Sequence, residues 1–151
     1  MPETPPVKVR PFEHGPYVQA ALFCDQVIIG NDNVLSLIRI IDTLTHSEHG
    51  PTAPAQMPEV PYRSKLVIML KSGMARGPHE VKIEPVLPGG EAKPPVLFTV
   101  HFEGEERGAN LIVDFPYTYR LEGLYWFNVY VDDELITRIP FRVKHVRTVT
   151  G

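Results

Sequence analysis

The fold is decided by the stretch YWFNVYVDDELITRIPFRV, residues 125–143. Apolar and aromatic side chains alternate with polar ones along this stretch, which is typical of β-strands with one buried face. The acidic run at 132–134 interrupts the alternation as a turn does, and the pattern resumes beyond it. We predict a closing β-hairpin with the inward residues Tyr125, Phe127, Val129, Val131, Ile139, Phe141 and Val143.

Pro140 and its neighbours indicate how the second strand of this hairpin lies. Proline cannot donate to a central ladder, so Pro140 favours an edge strand. Arg138, Arg142 and Lys144 form a basic stripe opposite the inward residues. The stripe could meet a phosphate or an acidic partner. The alternative is an edge strand protected by charge and proline against edge-to-edge pairing, and the sequence favours this second interpretation.

The same period of two continues outward through most of the chain. A polar link at 30–33 separates two β-rich runs and predicts a hairpin. No stripe at helical spacing is present. We predict an all-β fold, a two-sheet antiparallel β-sandwich of immunoglobulin-like or Greek-key type with about eight strands. The further strands are expected at 17–29, 34–45, 66–70, 81–85, 96–102 and 111–115.

Composition narrows the class of protein. The chain has 151 residues, 16 prolines, one cysteine and a net charge of −3, which suits one domain without a disulfide. There is no basic excess typical of nucleic-acid binders, no signal-peptide pattern and no apolar run long enough to span a bilayer. We therefore expect a cytoplasmic protein without nucleic-acid or membrane partners. The predicted organisation is a flexible arm at 1–15, a sandwich at 16–147 and a tail at 148–151.

The segment from Ser47 to Pro61 is the longest predicted loop, with four prolines and Gly50. Long loops without secondary structure are often functional. The simpler interpretation, which we favour, is a crossover between the two sheets.

Candidate metal ligands are few. His46, Glu48 and His49 at the start of this loop are residue types that bind zinc, but a further ligand at a defined spacing is missing. Asp32 and the run at 132–134 could bind calcium only if their turns share one end of the sandwich. Turn chemistry explains both acidic groups, and we predict no metal and no cofactor.

A small hydrolase would need at least two of four residues to converge in a cleft: Cys24, Asp25, His46 and His101. A buried structural thiol is the simpler interpretation of Cys24. Asp25 and Asp42 interrupt apolar strands, so each needs a partner if buried, and Arg39 is a candidate.

Five aromatic residues cluster late in the chain: Tyr117, Tyr119, Tyr125, Trp126 and Tyr130. Alternation places Trp126 and Tyr130 on the face opposite Tyr125. Outward Trp and Tyr side chains can anchor a protein or carbohydrate partner, although half-buried aromatics are also routine on sheets.

Three stretches carry a resemblance to a known family. They are ALFCD at 21–25 with SLIRIID at 36–42, EGLYWFNVYVD at 122–132, and IPFRV at 139–143. Together they resemble an uncharacterised bacterial family of small all-β proteins, over roughly residues 17–145. The resemblance implies a fold and supplies no catalytic residues.

The second stretch also resembles the tyrosine corner of immunoglobulin-type domains. Gly123 and Tyr125 fit that motif, and the resemblance implies that the tyrosine hydroxyl caps the backbone upstream. The sequence departs from it at Phe127, where immunoglobulin domains place a cysteine, and at Leu121, which lacks an acidic group.

The sequence thus predicts a non-catalytic binding or structural module that acts through protein–protein contacts. The expected partner-binding residues are Trp126, Tyr130, Arg138, Arg142 and Lys144. The alternative is a calcium- or zinc-dependent or carbohydrate-binding sandwich, and a small hydrolase is third. The partner's identity and a homo-oligomeric state are left open.

Overall fold

The computed structural model describes residues 12–148, and they form nine β-strands. The strands are β1 (Tyr17–Ile29), β2 (Leu35–Ile41), β3 (Thr43–His49), β4 (Val60–Gly73), β5 (Gly77–Val86), β6 (Val96–Phe102), β7 (Glu105–Tyr119), β8 (Gly123–Val131) and β9 (Glu134–Thr148). The all-β prediction is confirmed. Within the described range there is no helix with the length and apolar character that a bilayer crossing requires.

The strands form two sheets. Sheet A has the order β2-β1-β4-β7 and is antiparallel throughout. Sheet B has the order β3-β9-β8-β5-β6, and its pair β3 and β9 is parallel. The predicted plain antiparallel sandwich is therefore wrong for sheet B, which is mixed.

A break at Asp42 explains both the parallel pair and the extra strand. The run predicted as one strand at 34–45 is split there: β2 pairs with β1 in sheet A, and β3 pairs with β9 in sheet B. The Asp42 carbonyl accepts a hydrogen bond from the Arg142 amide at 2.8 Å, which fixes the crossing point. Because β3 leaves this point in the direction of β9, the two strands are parallel.

The core lies between the two sheets and is rich in aromatic rings. Phe23 of sheet A lies 5.0 Å from Phe127 and 5.6 Å from Phe141, both of sheet B, between ring centroids. The ring of Phe115 is also 5.6 Å from that of Phe23. The inward residues predicted for the closing hairpin are all buried in this core.

Strand register defines two ends of the sandwich. The turn end carries the tight connections at 74–76, 103–104 and 132–133, as the pairing of Gly73 with Glu105 illustrates. The corner end carries the connections at 50–59, 87–95 and 120–122, next to the pairing of Val60 with Tyr119. The proline-rich segment is shorter than predicted, because β3 continues to His49, and it does cross from sheet B to sheet A.

The edge position predicted for the last strand is wrong for β9 as a whole, since β8 and β3 flank it. Its pairing with β3 begins only at Arg142. Pro140 comes before Arg142 in the chain. At Pro140, strand β9 is therefore paired with β8 on one side and is unpaired on the other. The missing donor of proline is therefore not needed there.

The predicted arm and tail fall mainly on residues 1–11 and 149–151, which lie outside the described residues. At the start of the described chain, the His14 carbonyl accepts a hydrogen bond from the Met74 amide at 3.1 Å.

Candidate functional site

The five predicted partner-binding residues lie on one surface, the solvent side of sheet B. Their neighbours Tyr125, Phe127, Ile139, Phe141 and Val143 point into the core, so alternation turns the five outward. We call this surface the basic-aromatic face and define it by Trp126, Tyr130, Arg138, Arg142 and Lys144.

Each of the two aromatic rings on this face makes a cation–π contact. The Arg138 guanidinium lies 4.3 Å from the centroid of the Trp126 ring, and the Lys82 ammonium lies 4.8 Å from that of Tyr130. Such contacts are weakly stabilising at exposed sites and restrict the rotamers of both partners. The rotamers of the two rings are therefore already restricted before any partner binds.

Hydrogen bonds extend this order across three strands. Arg138 Nε donates to the Asn128 side-chain oxygen at 2.7 Å, and the Asn128 amide nitrogen donates to Glu84 Oε1 at 3.1 Å. The Tyr130 hydroxyl donates to the same Glu84 oxygen at 3.3 Å. A hydrogen bond from Lys82 to Asp133 raises the pKa of that lysine, so its charge is secure at neutral pH.

Arg138 is held by its contacts with Asn128 and the Trp126 ring. Arg142 and Lys144 lack such contacts, and their side chains make no ion pair with any residue between 12 and 148. Both are exposed and stand opposite Thr43 and Thr45 of β3, which carry no charge. These two positive charges are available to a partner.

The zinc candidates lie on strand β3, which continues to His49, and not within the predicted loop. The His46 and Glu48 side chains contact each other at 2.9 Å, whereas alternation turns His49 to the other face. The structure brings His145 to His46 instead, with ring centroids 6.0 Å apart, and His145 Nε2 is buried without a hydrogen-bond partner. Residues 12–148 contain no group of three or more ligand-type side chains arranged to hold a metal ion.

The two acidic turns considered for calcium do not share an end. Asp32 lies in the β1–β2 turn at the corner end, whereas Asp132 and Asp133 lie at the turn end. Asp132 is also engaged locally, since it accepts hydrogen bonds from the Glu80 amide and from His79. These two turns therefore cannot form one calcium site together.

The hydrolase candidates are scattered. Cys24 is buried on the side of sheet A that faces away from the core cluster, and burial raises the pKa of its thiol. His46 and His101 lie on β3 and β6, the opposite edges of sheet B. Asp25 is bound to other groups: it pairs with Arg39, as predicted, and accepts a hydrogen bond from Tyr62 at 3.1 Å. The hydrogen bond from Arg39 lowers the pKa of Asp25.

Asp42, the other acidic residue in an apolar run, is exposed at the crossing point between the sheets. Its carboxylate accepts a hydrogen bond from the Thr43 hydroxyl at 3.1 Å. It therefore needs no buried partner.

A cleft at the corner end was not predicted from the sequence. It has a volume of about 430 Å³. We call it the corner cleft, and its lining residues are Leu87, Lys93, Tyr117, Thr118, Arg120, Leu121 and Tyr125. They come from the β5–β6 and β7–β8 connections and from strands β7 and β8. Only the aromatic cluster with Tyr117 and Tyr125 could have drawn attention to the cleft.

The tyrosine at the base of the corner cleft makes the contact that the tyrosine-corner resemblance implies. The Tyr125 hydroxyl donates to the Leu121 carbonyl at 2.8 Å and accepts from the Leu121 amide at 3.1 Å. One phenol thus satisfies both backbone groups of Leu121 and holds the β7–β8 connection against the core.

Comparison with known proteins gives one broad match. A family described as a family of unknown function (DUF6941) matches residues 19–144, which is most of the chain. No match was found among curated proteins.

Among solved structures, one match is the Pseudomonas fluorescens alkylpurine DNA glycosylase AlkC bound to DNA containing an abasic site analog. It shares 16% sequence identity at a TM-score of 0.36, over 65% of this chain and 27% of that chain. This chain thus spans about a quarter of the glycosylase's length. A likeness this weak carries no argument about function.

Proposed function

We propose that this chain, which belongs to the DUF6941 family of unknown function, is a non-catalytic binding module for an acidic protein partner. The basic-aromatic face is the proposed contact surface. The observation that carries the proposal is the pairing, on one sheet face, of preset outward aromatic rings with two cations that have no ion-pair partner in the described chain.

The aromatic part supplies the apolar contact. Trp and Tyr dominate the energetics of many protein interfaces because they bury a large area and lose little rotamer freedom. Here part of that freedom is already restricted, since Arg138 covers Trp126 and the Tyr130 hydroxyl is bound to Glu84. A partner therefore meets rings that need little further ordering.

The basic part supplies charge complementarity. Arg142 and Lys144 have no carboxylate partner to displace, so an acidic surface would gain from both at a small desolvation cost. Such charges at the rim of an interface act mainly on the association rate and on its salt dependence. The partner is accordingly expected to present carboxylates next to an apolar anchor.

The experiment compares three forms of the full chain as affinity baits in lysate of the source organism. They are the wild type, the double variant Arg142→Glu/Lys144→Glu, and a control, Arg63→Glu/Arg107→Glu, with the same charge change on sheet A. We expect a stoichiometric protein that the wild type and the control retain and the double variant loses. Trp126→Ala is expected to lose it as well.

The captured partner is then purified and titrated against the wild type at two salt concentrations, with Trp126 fluorescence as the readout. Affinity should fall at high salt, because the proposed contact is partly ionic. Retention of the same proteins by all three baits, or capture of none, would refute the proposal.

We also propose the finer assignments that the resemblance implies, a bacterial cytoplasmic protein related to immunoglobulin-like sandwiches. The single buried thiol of Cys24 supports the compartment, because small extracellular domains usually carry paired cysteines. The Tyr125 corner supports the relationship. Cell fractionation with an antibody to the chain tests the compartment, and recovery outside the cytoplasm would exclude it.

A further inference from the structure

We infer that the corner cleft binds a small aromatic monocarboxylate. This inference is independent of the proposed function, because the cleft lies at the end of the sandwich and shares no residue with the basic-aromatic face. Its volume falls within the range typical of small-molecule sites. Its lining combines ring surfaces with positive charge and includes no carboxylate.

The apolar side of the cleft is formed by Tyr117 with Leu87 and Leu121. Tyr117 is half-buried, and its ring centroid lies 4.9 Å from that of Tyr119 and 6.3 Å from that of Tyr125. Its ring is thus backed by other rings and offers its remaining surface to the cleft. An aromatic group on a ligand can pack there in an offset or edge-to-face arrangement.

The charged side of the cleft consists of Lys93 and Arg120. Each has an ion pair outside the lining: Lys93 with Glu91 at 3.1 Å, and Arg120 with Glu59 at 3.2 Å. Both pairs are largely exposed, and exposed pairs contribute little and exchange readily. A ligand carboxylate that enters the cleft can therefore take over these cations, and the planar guanidinium suits a two-point contact with it.

The Tyr117 phenol adds a hydrogen-bond donor. Its hydroxyl has no hydrogen-bond partner in the described part of the chain. Burial raises the pKa of Tyr117, and the charge of Arg120 acts in the opposite direction, so the guanidinium is close enough to influence the phenol. A protonated phenol next to an arginine favours an anionic oxygen between them.

The walls of the cleft are held in place without a ligand. The Leu87 amide donates to the Glu91 carbonyl and the Lys93 amide to the Pro85 carbonyl, both at 2.8 Å, which folds the β5–β6 connection. Leu121 is fixed on the other side by Tyr125. A cleft formed in advance needs little of the binding energy for its own ordering.

The test is a titration of the ¹⁵N-labelled full chain by NMR with three probes of one shape. They are 3-phenylpropionate, its neutral analogue 3-phenylpropan-1-ol and the cation 3-phenylpropylamine. We expect shifts at the amides of Leu87, Thr118 and Leu121, and about ten-fold tighter binding of the carboxylate than of the alcohol. The amine should not bind.

Variants locate the site. Lys93→Gln/Arg120→Gln should weaken 3-phenylpropionate by about ten-fold or more. The control Arg142→Gln/Lys144→Gln removes the same charge from the basic-aromatic face and should leave the affinity unchanged. Unchanged dispersion of the NMR spectrum shows that each variant is folded, and Tyr117→Phe separately tests the phenol.

Several outcomes would overturn the inference: no shifts at millimolar probe, equal binding of the alcohol, shifts at other residues, or equal loss in both double variants. The peptide Ala-Ala-Phe is a further arm, because its terminal carboxylate carries the same chemistry on a protein. Tighter binding of that peptide than of 3-phenylpropionate would assign the cleft to a protein C-terminus and refute the small-molecule assignment.

Discussion

At the scale of single residues, two side chains at opposite ends of the sandwich fix connections between strands. Tyr125 bonds both backbone groups of Leu121 at the corner end. Asp132 bonds the Glu80 amide and His79 at the turn end. The first side chain is buried and neutral, whereas the second is exposed and charged, so their contributions to stability should respond differently to mutation and to pH.

Replacing Tyr125 with Phe removes the hydroxyl and keeps the ring. Two backbone groups of Leu121 then lose their partner, and we expect the free energy of unfolding to fall by about 1–2 kcal/mol in urea denaturation. Tyr130→Phe is the matched control, because its hydroxyl makes one long hydrogen bond near the surface. Equal effects of the two substitutions would contradict the role assigned to Tyr125.

The pair of His79 and Asp132 predicts a pH-dependent contribution to stability. The hydrogen bond to Asp132 raises the pKa of His79 above 6.5, and the bond with His79 lowers the pKa of Asp132 below 3.8. The stabilising contribution of His79 is fully present below pH 6.5 and is lost as the pH rises through the raised pKa. The stabilising contribution of Asp132 is fully present above pH 3.8 and is lost as the pH falls through the lowered pKa.

Asp132→Asn should therefore cost more unfolding free energy at pH 5.5 than at pH 9. The difference should stay below about 1 kcal/mol, because the Asp132 side chain is 53% exposed and the pair is screened by solvent. Asn tolerates the positive φ of 48° at this position, so the substitution tests the charge and not the turn. In a His79→Gln background the pH difference should vanish, and its persistence there would exclude this pair as the cause.

At the scale of elements, the two connections that form the walls of the corner cleft touch at a glycine. Gly123 has a φ of 129°, and a Cβ at this position would lie 2.8 Å from the Pro88 Cβ. The β5–β6 and β7–β8 connections can therefore approach this closely only because residue 123 has no side chain.

Gly123→Ala is expected to destabilise the protein by about 1–3 kcal/mol, since it adds both a contact that is too close and an unfavourable φ. The control is Gly89→Ala on the same connection, where a Cβ meets nothing within 4 Å and φ is not in the left-handed region. That substitution should stay within about 0.5 kcal/mol of the wild type in thermal unfolding. If the two alanine variants have the same stability, the close approach is not a constraint.

Local patterns explain which elements could be predicted from the sequence. The period of two, the polar link at 30–33 and the acidic turn at 132–134 indicate strands and hairpins because adjacent residues determine them. The division between β2 and β3 could not be predicted, because β-branched residues flank Asp42 on both sides and fit a strand in either sheet. The parallel pairing of β3 with β9 joins residues about a hundred positions apart, and no local pattern encodes it.

The same distinction holds for the sites. Alternation alone placed Trp126, Tyr130, Arg138, Arg142 and Lys144 on one face, and the structure puts them there. The corner cleft depends on how the β5–β6 and β7–β8 connections meet. Lys93 and Arg120 carry no signal in the sequence that they share a cavity.

At the scale of the whole molecule, the sheets are held together by a cluster of rings around Phe23. Three aromatic partners surround this side chain at centroid distances of 5.0–5.6 Å, two of them in the opposite sheet. The basic-aromatic face therefore lies on the outer side of β8 and β9, the strands whose inner side contributes Phe127 and Phe141 to this cluster.

Phe23→Ala should reduce the free energy of unfolding by about 3–5 kcal/mol, because it leaves a cavity that rigid rings cannot fill. That is a large share of the stability of an ordinary domain. Ile40→Ala, on the neighbouring strand and 61% exposed, should change it by no more than about 0.5 kcal/mol. A small effect at Phe23 in chemical denaturation would show that the sheets do not depend on this cluster.

The parallel contact between β3 and β9 has a consequence for synthesis of the chain on the ribosome. Strand β3 leaves the exit tunnel about a hundred residues before residues 142–148, with which its ladder forms. Until then the backbone of β3 is an open template for other nascent chains. Sheet B cannot be completed until β9 has left the tunnel, so β3 must stay shielded while the roughly hundred residues that separate the two strands are translated.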